Sequence, residues 1–236
     1  MKNKWLLLFI FSFRLVASAQ EDEHSIFHSA QKMYESKKYT EALIEIEKCL
    51  SVKHDFDSAL CLRAQLSYRT GNKNMAVSDL NLVIKENGNY FDAFYTRGII
   101  KAEGQDYVGA MRDLNKAIEL NAKNAKAFYN RALVRAYLDD YPSAIKDLNK
   151  AIEINPSYKE AFYSRGFWKE MSNDFKAAII DYKKAVALDP GYSEAGIALA
   201  IATYRSGDKS GGCAVLQTMI DKGNTKAIEM SELFCK

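Results

Sequence analysis

The segment AFYNRALVRAYLDDYPSAIKDLNKAIEINPSY, Ala127 to Tyr158, returns 34 residues later as AFYSRGFWKEMSNDFKAAIIDYKKAVALDPGY, without a gap. Phe128 answers to Phe162, Tyr129 to Tyr163, Arg131 to Arg165, Asp147 to Asp181 and Pro156 to Pro190. With Ala125 as position 1, the same frame runs in both directions through residues 23–56, 57–90, 91–124, 125–158, 159–192 and 193–226. Position 8 is Ala30, Ala64, Gly98, Ala132, Gly166 and Ala200; position 20 is Ala42, Ala76, Ala110, Ala144, Ala178 and Gly212. Position 27 is Cys49, Val83, Ala117, Ala151, Ala185 and Met219. A period of this length means that one unit cannot bury its own apolar face and must stack on a neighbour. Small residues at positions 8, 20 and 27 let two helices cross closely.

This spacing resembles the tetratricopeptide repeat, a helix-turn-helix module, over nearly all of the chain beyond its first 19 residues. The resemblance implies an all-α fold: a right-handed α-solenoid of six stacked 34-residue helix-turn-helix repeats, residues 20–226, closed by a C-terminal capping helix in residues 227–236. It fixes a fold and leaves the chemistry open. Helix A is expected at about positions 2 to 14 and helix B at about 18 to 30, so the fourth unit should have helix A from Lys126 to Leu138 and helix B from Pro142. Proline suits a first helical position, whose N–H has no intrahelical partner, and Asn155-Pro156 and Asp189-Pro190 should end helix B. Tyr39, Tyr107, Tyr141 and Phe175 recur at position 17 and should plug the turn into the core.

Residues 1–19 carry Lys2 and Lys4, an apolar run WLLLFIFSF, and Ala17-Ser18-Ala19, the parts of a secretory signal peptide. The run is too short to span a membrane, and no cysteine near the site suggests a lipid anchor. The expectation is an exported protein, periplasmic or secreted. Cleavage after Ala19 removes Lys2, Lys4 and Arg14 but no acid, which takes 33 Lys+Arg against 30 Asp+Glu to formal neutrality. A neutral chain has no global field for phosphate backbones or anionic lipid, so nucleic acid is not an expected partner. With 48% hydrophobic residues and three prolines, the composition is that of a soluble helical chain.

Two departures from the family pattern stand out. Position 7 is Arg63, Arg97, Arg131 and Arg165 in units two to five, and position 23 is Asp79, Asp113, Asp147 and Asp181; unit six has Leu199 and Val215 instead. Position 11 adds Lys101, Arg135 and Lys169. Residues that appear and disappear together read as a structural Arg-Asp ladder, the arginine stem packed and its fork bonded to carboxylate. The other reading is a basic stripe for an acidic ligand. The end units are the least regular, with Gly196 standing where its neighbours carry phenylalanine, as terminal repeats with one wet face should be. After Lys226 the apolar side Ile228, Met230, Leu233 and Phe234 should cover the sixth unit.

In the family helix A lines the concave face, with positions 2, 5, 6, 9, 12 and 13 in the groove. Carried over, this gives a peptide-binding groove of Tyr95, Ile99, Tyr129, Asn130, Leu133, Tyr163 and Phe167, with Thr96, Asn130 and Ser164 offering hydrogen bonds to an extended backbone. Tyrosine supplies contact area, few rotors and a hydroxyl; alternatively these rings simply pack neighbouring A helices together. The family's carboxylate clamp for a chaperone C-terminus is absent, since only Asn130 fits it. Cys213 and Cys235 are candidates for a disulfide at the fraying end, while Cys49 and Cys61 read as core thiols. His24 and His28 lie four apart but lack a third ligand, so no metal is expected. No nucleophile elbow, phosphate loop, C-x-x-C or H-E-x-x-H occurs, so neither an enzyme nor a cofactor is expected. The function expected is a non-enzymatic scaffold that binds a protein or peptide ligand, with self-association possible and no membrane span; the alternative is a cell-wall glycan or small-ligand binder using the same aromatic groove.

Overall fold

A computed structural model of the chain describes residues 22–235. The expected leader, residues 1–19, lies outside them. Contacts divide the chain into two compact units that meet between Thr96 and Arg97. The first holds α1 (Glu23–Glu35), α2 (Tyr39–Val52), α3 (Asp57–Arg69), α4 (Lys73–Glu86) and the opening turns of α5 (Phe91–Glu103). The second holds the rest of α5 and α6 (Tyr107–Leu120), α7 (Ala125–Tyr137), α8 (Tyr141–Ile154), α9 (Lys159–Met171), α10 (Phe175–Leu188), α11 (Ser193–Arg205), α12 (Lys209–Asp221) and α13 (Thr225–Phe234). Odd-numbered helices α1 to α11 are the A helices of the six repeats, and even-numbered ones the B helices.

Helices start one residue earlier than the sequence pattern places them, at positions 1 and 17, because the residue before helix B caps it. Asn72, Asp106, Asp140, Asp174 and Asp208 at position 16 each accept the N–H three residues on. Pro142 is therefore the second helical residue, after Tyr141. The residue ahead of each cap, position 15, is left-handed in all six repeats, at Lys37, Gly71, Gln105, Asp139, Asn173 and Gly207, with φ from 60° to 103°. Position 17 rings pack as the sequence suggests, Tyr39 on Tyr34 at 5.7 Å and Tyr141 against the cluster that holds Ala136 and Ala144 of its own repeat. They are half-buried, and Tyr107 stacks on Tyr137 at 5.2 Å and Tyr141 on Trp168 at 5.1 Å, one repeat further on.

The small positions carry the helix crossings. Ala30, Ala42, Ala64, Ala76, Ala110, Ala132, Ala144 and Ala178 have no accessible surface. Where position 24 is the bulky Tyr182 instead of Leu148, position 8 has shrunk from Ala132 to Gly166, whose Cβ would stand 2.8 Å from the tyrosine ring. Volume lost on one helix is gained on the other.

Four arginines fasten helix A to helix B. Nε and Nη2 of Arg63, Arg97, Arg131 and Arg165 donate to both oxygens of Asp79, Asp113, Asp147 and Asp181, at 2.5 to 2.9 Å. A second cation from position 11 reaches the same carboxylate in three repeats: Lys101 to Asp113, Arg135 to Asp147 and Lys169 to Asp181. The third guanidinium nitrogen reaches back one repeat. Nη1 donates from Arg63 to Glu47, from Arg131 to Asn115 and from Arg165 to Asn149, all at position 25 of the preceding helix B. Each of these three arginines thus joins three helices, and the basic-stripe reading loses its cations to the carboxylates.

At the far end Cys213 of α12 and Cys235 after α13 form a disulfide, closing a loop of 22 residues. The cap covers repeat six with only part of the apolar side the sequence suggests, Met230 and Phe234, while Ala227 and Cys235 take the places expected of Ile228 and Leu233. Ile228 and Leu233 point to solvent, while Ala227, Met230 and Cys235 pack against Ala200 and Leu216, and Phe234 lies 5.4 Å from the Tyr204 ring. Residues 227, 230 and 234 share one helical face, and 228 and 233 fall outside it.

Candidate functional site: the A-helix groove

Residues at positions 5, 6 and 9 of the A helices fall into two classes. The tyrosines at position 5 are wedges. Tyr129 lies 5.0 Å from Tyr158 and its hydroxyl accepts from Ser164 Oγ at 3.5 Å; Tyr163 sits between Tyr182 and Tyr192, at 5.8 and 5.3 Å. Burial raises both phenols above their ordinary pKa. In the first unit Tyr95 stacks on Phe91 at 5.4 Å. The position 6 groups are also spent: Thr96 and Ser164 are buried, and Asn130 Nδ2 donates to Lys126 O in its own helix. A helices approach closely at this position, which draws the hydroxyls into the joint and away from a ligand.

Open surface lies at positions 9 and 13. Ile99, Asn130 and Leu133 come together with Glu103 and Tyr137 around a cleft of about 420 Å³ in the second unit. Tyr163 and Phe167 line another, of about 260 Å³, with Glu170, Glu194, Ile197, Ile201, Arg205 and Lys226. Phe167 is 39% exposed, Tyr137 68% and Met171 59%. Arg205 is held by Glu170 at 3.1 Å, and Glu170 also accepts the Tyr182 hydroxyl at 2.9 Å. Tyr137 is the cleft residue that carrying over positions 5, 6 and 9 alone misses, and Met171 is the exposed residue at the same position one repeat on. Their signal is in the sequence, since position 13 reads Glu35, Arg69, Glu103, Tyr137, Met171 and Arg205, apolar only in the two middle repeats.

The tetratricopeptide-repeat family model matches residues 125–158, the fourth repeat in the frame set by the period. That repeat is a tetratricopeptide repeat. Solved structures agree on the all-α helical-repeat architecture of this solenoid class. PilF of Pseudomonas aeruginosa is similar at TM-score 0.77 and 12% identity, over 89% of this chain and 96% of that one. A tetratricopeptide-repeat protein from Parabacteroides merdae is similar at 0.65 and 20%, over 96% and 90%. YrrB, described as having an unusual peptide-binding site, is similar at 0.57 and 19%, over 75% and 91%. At these identities the likeness speaks for the fold alone. No curated protein matches the chain in sequence.

The first unit has a groove of another character. Phe27, Gln31, Tyr34, Glu35, Ser58, Gln65, Tyr90 and Asp92 line a cleft of about 420 Å³, with a 2.7 Å hydrogen bond between the Ser58 and Tyr90 hydroxyls. Cys61 beneath it is buried, and burial first, then Asp92, Asp57 and Asp79, push its thiol well above the ordinary value. Such a thiol is a weak nucleophile. Cys49 is buried and donates to Glu23 O at 3.2 Å. His24 stands edge-on to Phe56 and His28 lies near Phe27. Among the described residues no group of three or more His, Cys, Asp or Glu is arranged to hold a metal ion.

Proposed function

We propose that the protein is a non-enzymatic interaction scaffold, exported from the cytoplasm, that binds a polypeptide segment along the A helices of its second unit. The exposed Tyr137 and Phe167, with the half-buried Leu133 and the exposed Met171 at position 13, carry this reading, because the clefts they border set apolar side chains beside the carboxylates of Glu103, Glu170 and Glu194. A ligand complementary to that surface is a segment of apolar anchors interspersed with Lys or Arg. The tetratricopeptide-repeat family, and the peptide-binding site ascribed to YrrB, favour a protein partner. Export is supported by the composition of residues 1–19 and by the Cys213–Cys235 bridge, a bond that persists in oxidising compartments. No described helix is long and apolar enough to cross a membrane.

The test is affinity capture by residues 20–236 from the envelope fraction, run beside a Leu133→Asp, Phe167→Asp variant. A protein recovered by the wild type and lost from the variant supports the groove and names the partner; equal recovery by both overturns it. The glycan reading draws on the first unit, where the amides of Gln31 and Gln65 and the carboxylates of Glu35 and Asp92 flank Phe27 and Tyr34. Glycan-array binding that a Gln31→Ala, Tyr34→Ala variant loses, with no captured protein, would favour it.

A further inference from the structure

Position 4 reads Ile26, Leu60, Phe94, Phe128, Phe162 and Gly196, so the sixth repeat lacks the large side chain that every other repeat supplies. In repeat five Phe162 is 8% exposed, seated on Ala185 and Ala195 with Ile152 at its side. One repeat on, the large side chain is missing and its place is only partly taken. Val186 stands where Ile152 does, and with Leu199, Val215, Met219 and Tyr192 it surrounds an open hole of about 450 Å³. Met219 occupies position 27, alanine in the three repeats before it, and leans in: a Cβ on Gly196 would meet its Sδ at 2.8 Å and Cε at 2.9 Å. A thioether on three rotatable bonds fills part of an aromatic seat and can swing out of it. The rim is polar, with Ser193, Thr218, Asn224 and Lys222. Lys222 is the only charged residue in the lining and has no acidic partner among the described residues.

We propose that this hole is a binding site for an aromatic carboxylate, whose ring takes the place of the missing phenylalanine and whose carboxylate meets Lys222. The chemistry is that of a C-terminal Phe or Tyr of a polypeptide, or of a free aromatic acid. A pocket of this size with apolar walls and one cation suits a single ring with one negative charge. The site is separate from the A-helix groove and stands or falls without it.

The experiment is an NMR titration of the oxidised chain, residues 20–236, following the Met219 methyl, with N-acetylphenylalanine, its amide, N-acetylalanine and the peptide acetyl-Gly-Gly-Phe. The acid should saturate the shift at about millimolar concentration, as expected for a ligand of this size. The amide and the Lys222→Gln variant should each bind about tenfold more weakly, and N-acetylalanine should not bind. Gly196→Phe should raise the melting temperature and abolish binding; Gly196→Ala, which only displaces Met219, keeps the test alive should the larger variant fail to fold. Tighter binding of the tripeptide assigns the site to a chain terminus, and equal binding to a free acid. No saturable shift, or a Gly196→Phe variant that folds and binds as the wild type does, overturns the proposal.

Discussion

Asp113 takes two hydrogen bonds from Arg97 and an ion pair at 2.7 Å from Lys101, while nearly all of its own surface is buried. Burial alone would raise its pKa, but the bonds and charges of Arg97 and Lys101 more than reverse this and hold it below the ordinary carboxylate value. A carboxylate whose folded pKa is depressed stabilises the fold fully above its unfolded pKa, near 4, and loses that contribution as pH falls through the folded value. Asp113→Asn should therefore cost about 3 kcal/mol in urea unfolding at pH 7, because two cations lose their partner. The gap from wild type should narrow as pH drops below about 3; a gap independent of pH would contradict the assignment. Gln105 makes the opposite case. Its φ of 65° is left-handed, where a side chain is costly, and Gln105→Gly should add about 0.5 to 1 kcal/mol, read as a higher melting temperature.

The helix pairs were legible in the sequence because small residues recur at positions 8, 20 and 27 and have to meet. Position 7 and position 23 could be matched for the same reason, since their chemistry is complementary and they vanish together in repeat six. The bonds from Arg131 to Asn115 and from Arg165 to Asn149 were harder to see, because asparagine at position 25 says nothing until the arginine of the next repeat points at it. Left-handed position 15 was hidden by its residues, as only Gly71 and Gly207 advertise it. In the groove, the period located the A helices but did not reveal which side chains they share with one another, so it left the position 5 tyrosines open between groove and packing; Tyr129 and Tyr163 pack on neighbouring rings, and Tyr163 also lines a cleft. At the C-terminus the pairing of α12 with α13 rests on few buried side chains and one bond. That bond restricts the unfolded chain by closing a 22-residue loop, and Cys235→Ser should remove about 3 kcal/mol of stability by releasing it. Hydrogen exchange should then rise in residues 209–235 and little elsewhere; a uniform rise would mean that the bridge supports the whole second unit.

As a scaffold the molecule needs a rigid back and an adaptable face, and its parts divide that way. The arginines and their carboxylates are buried between helices, while Tyr137, Phe167 and Met171 stand largely in solvent, Tyr137 stacked on Tyr107 and Phe167 edge-on to Trp168. Leu133→Asp with Phe167→Asp should therefore lower stability by only about 1 to 2 kcal/mol while abolishing capture of the partner, and unfolding of the variant would show that these side chains are structural. The place where the ladder stops has a consequence of its own. Leu199 and Val215 replace the ion pair in repeat six, the same repeat that the Cys213–Cys235 bond closes, so the array passes from an electrostatic fastening to a covalent one along its length. Its middle would loosen in acid and its tail in a reductant, and a chain that met the two in sequence would unravel from a different place each time.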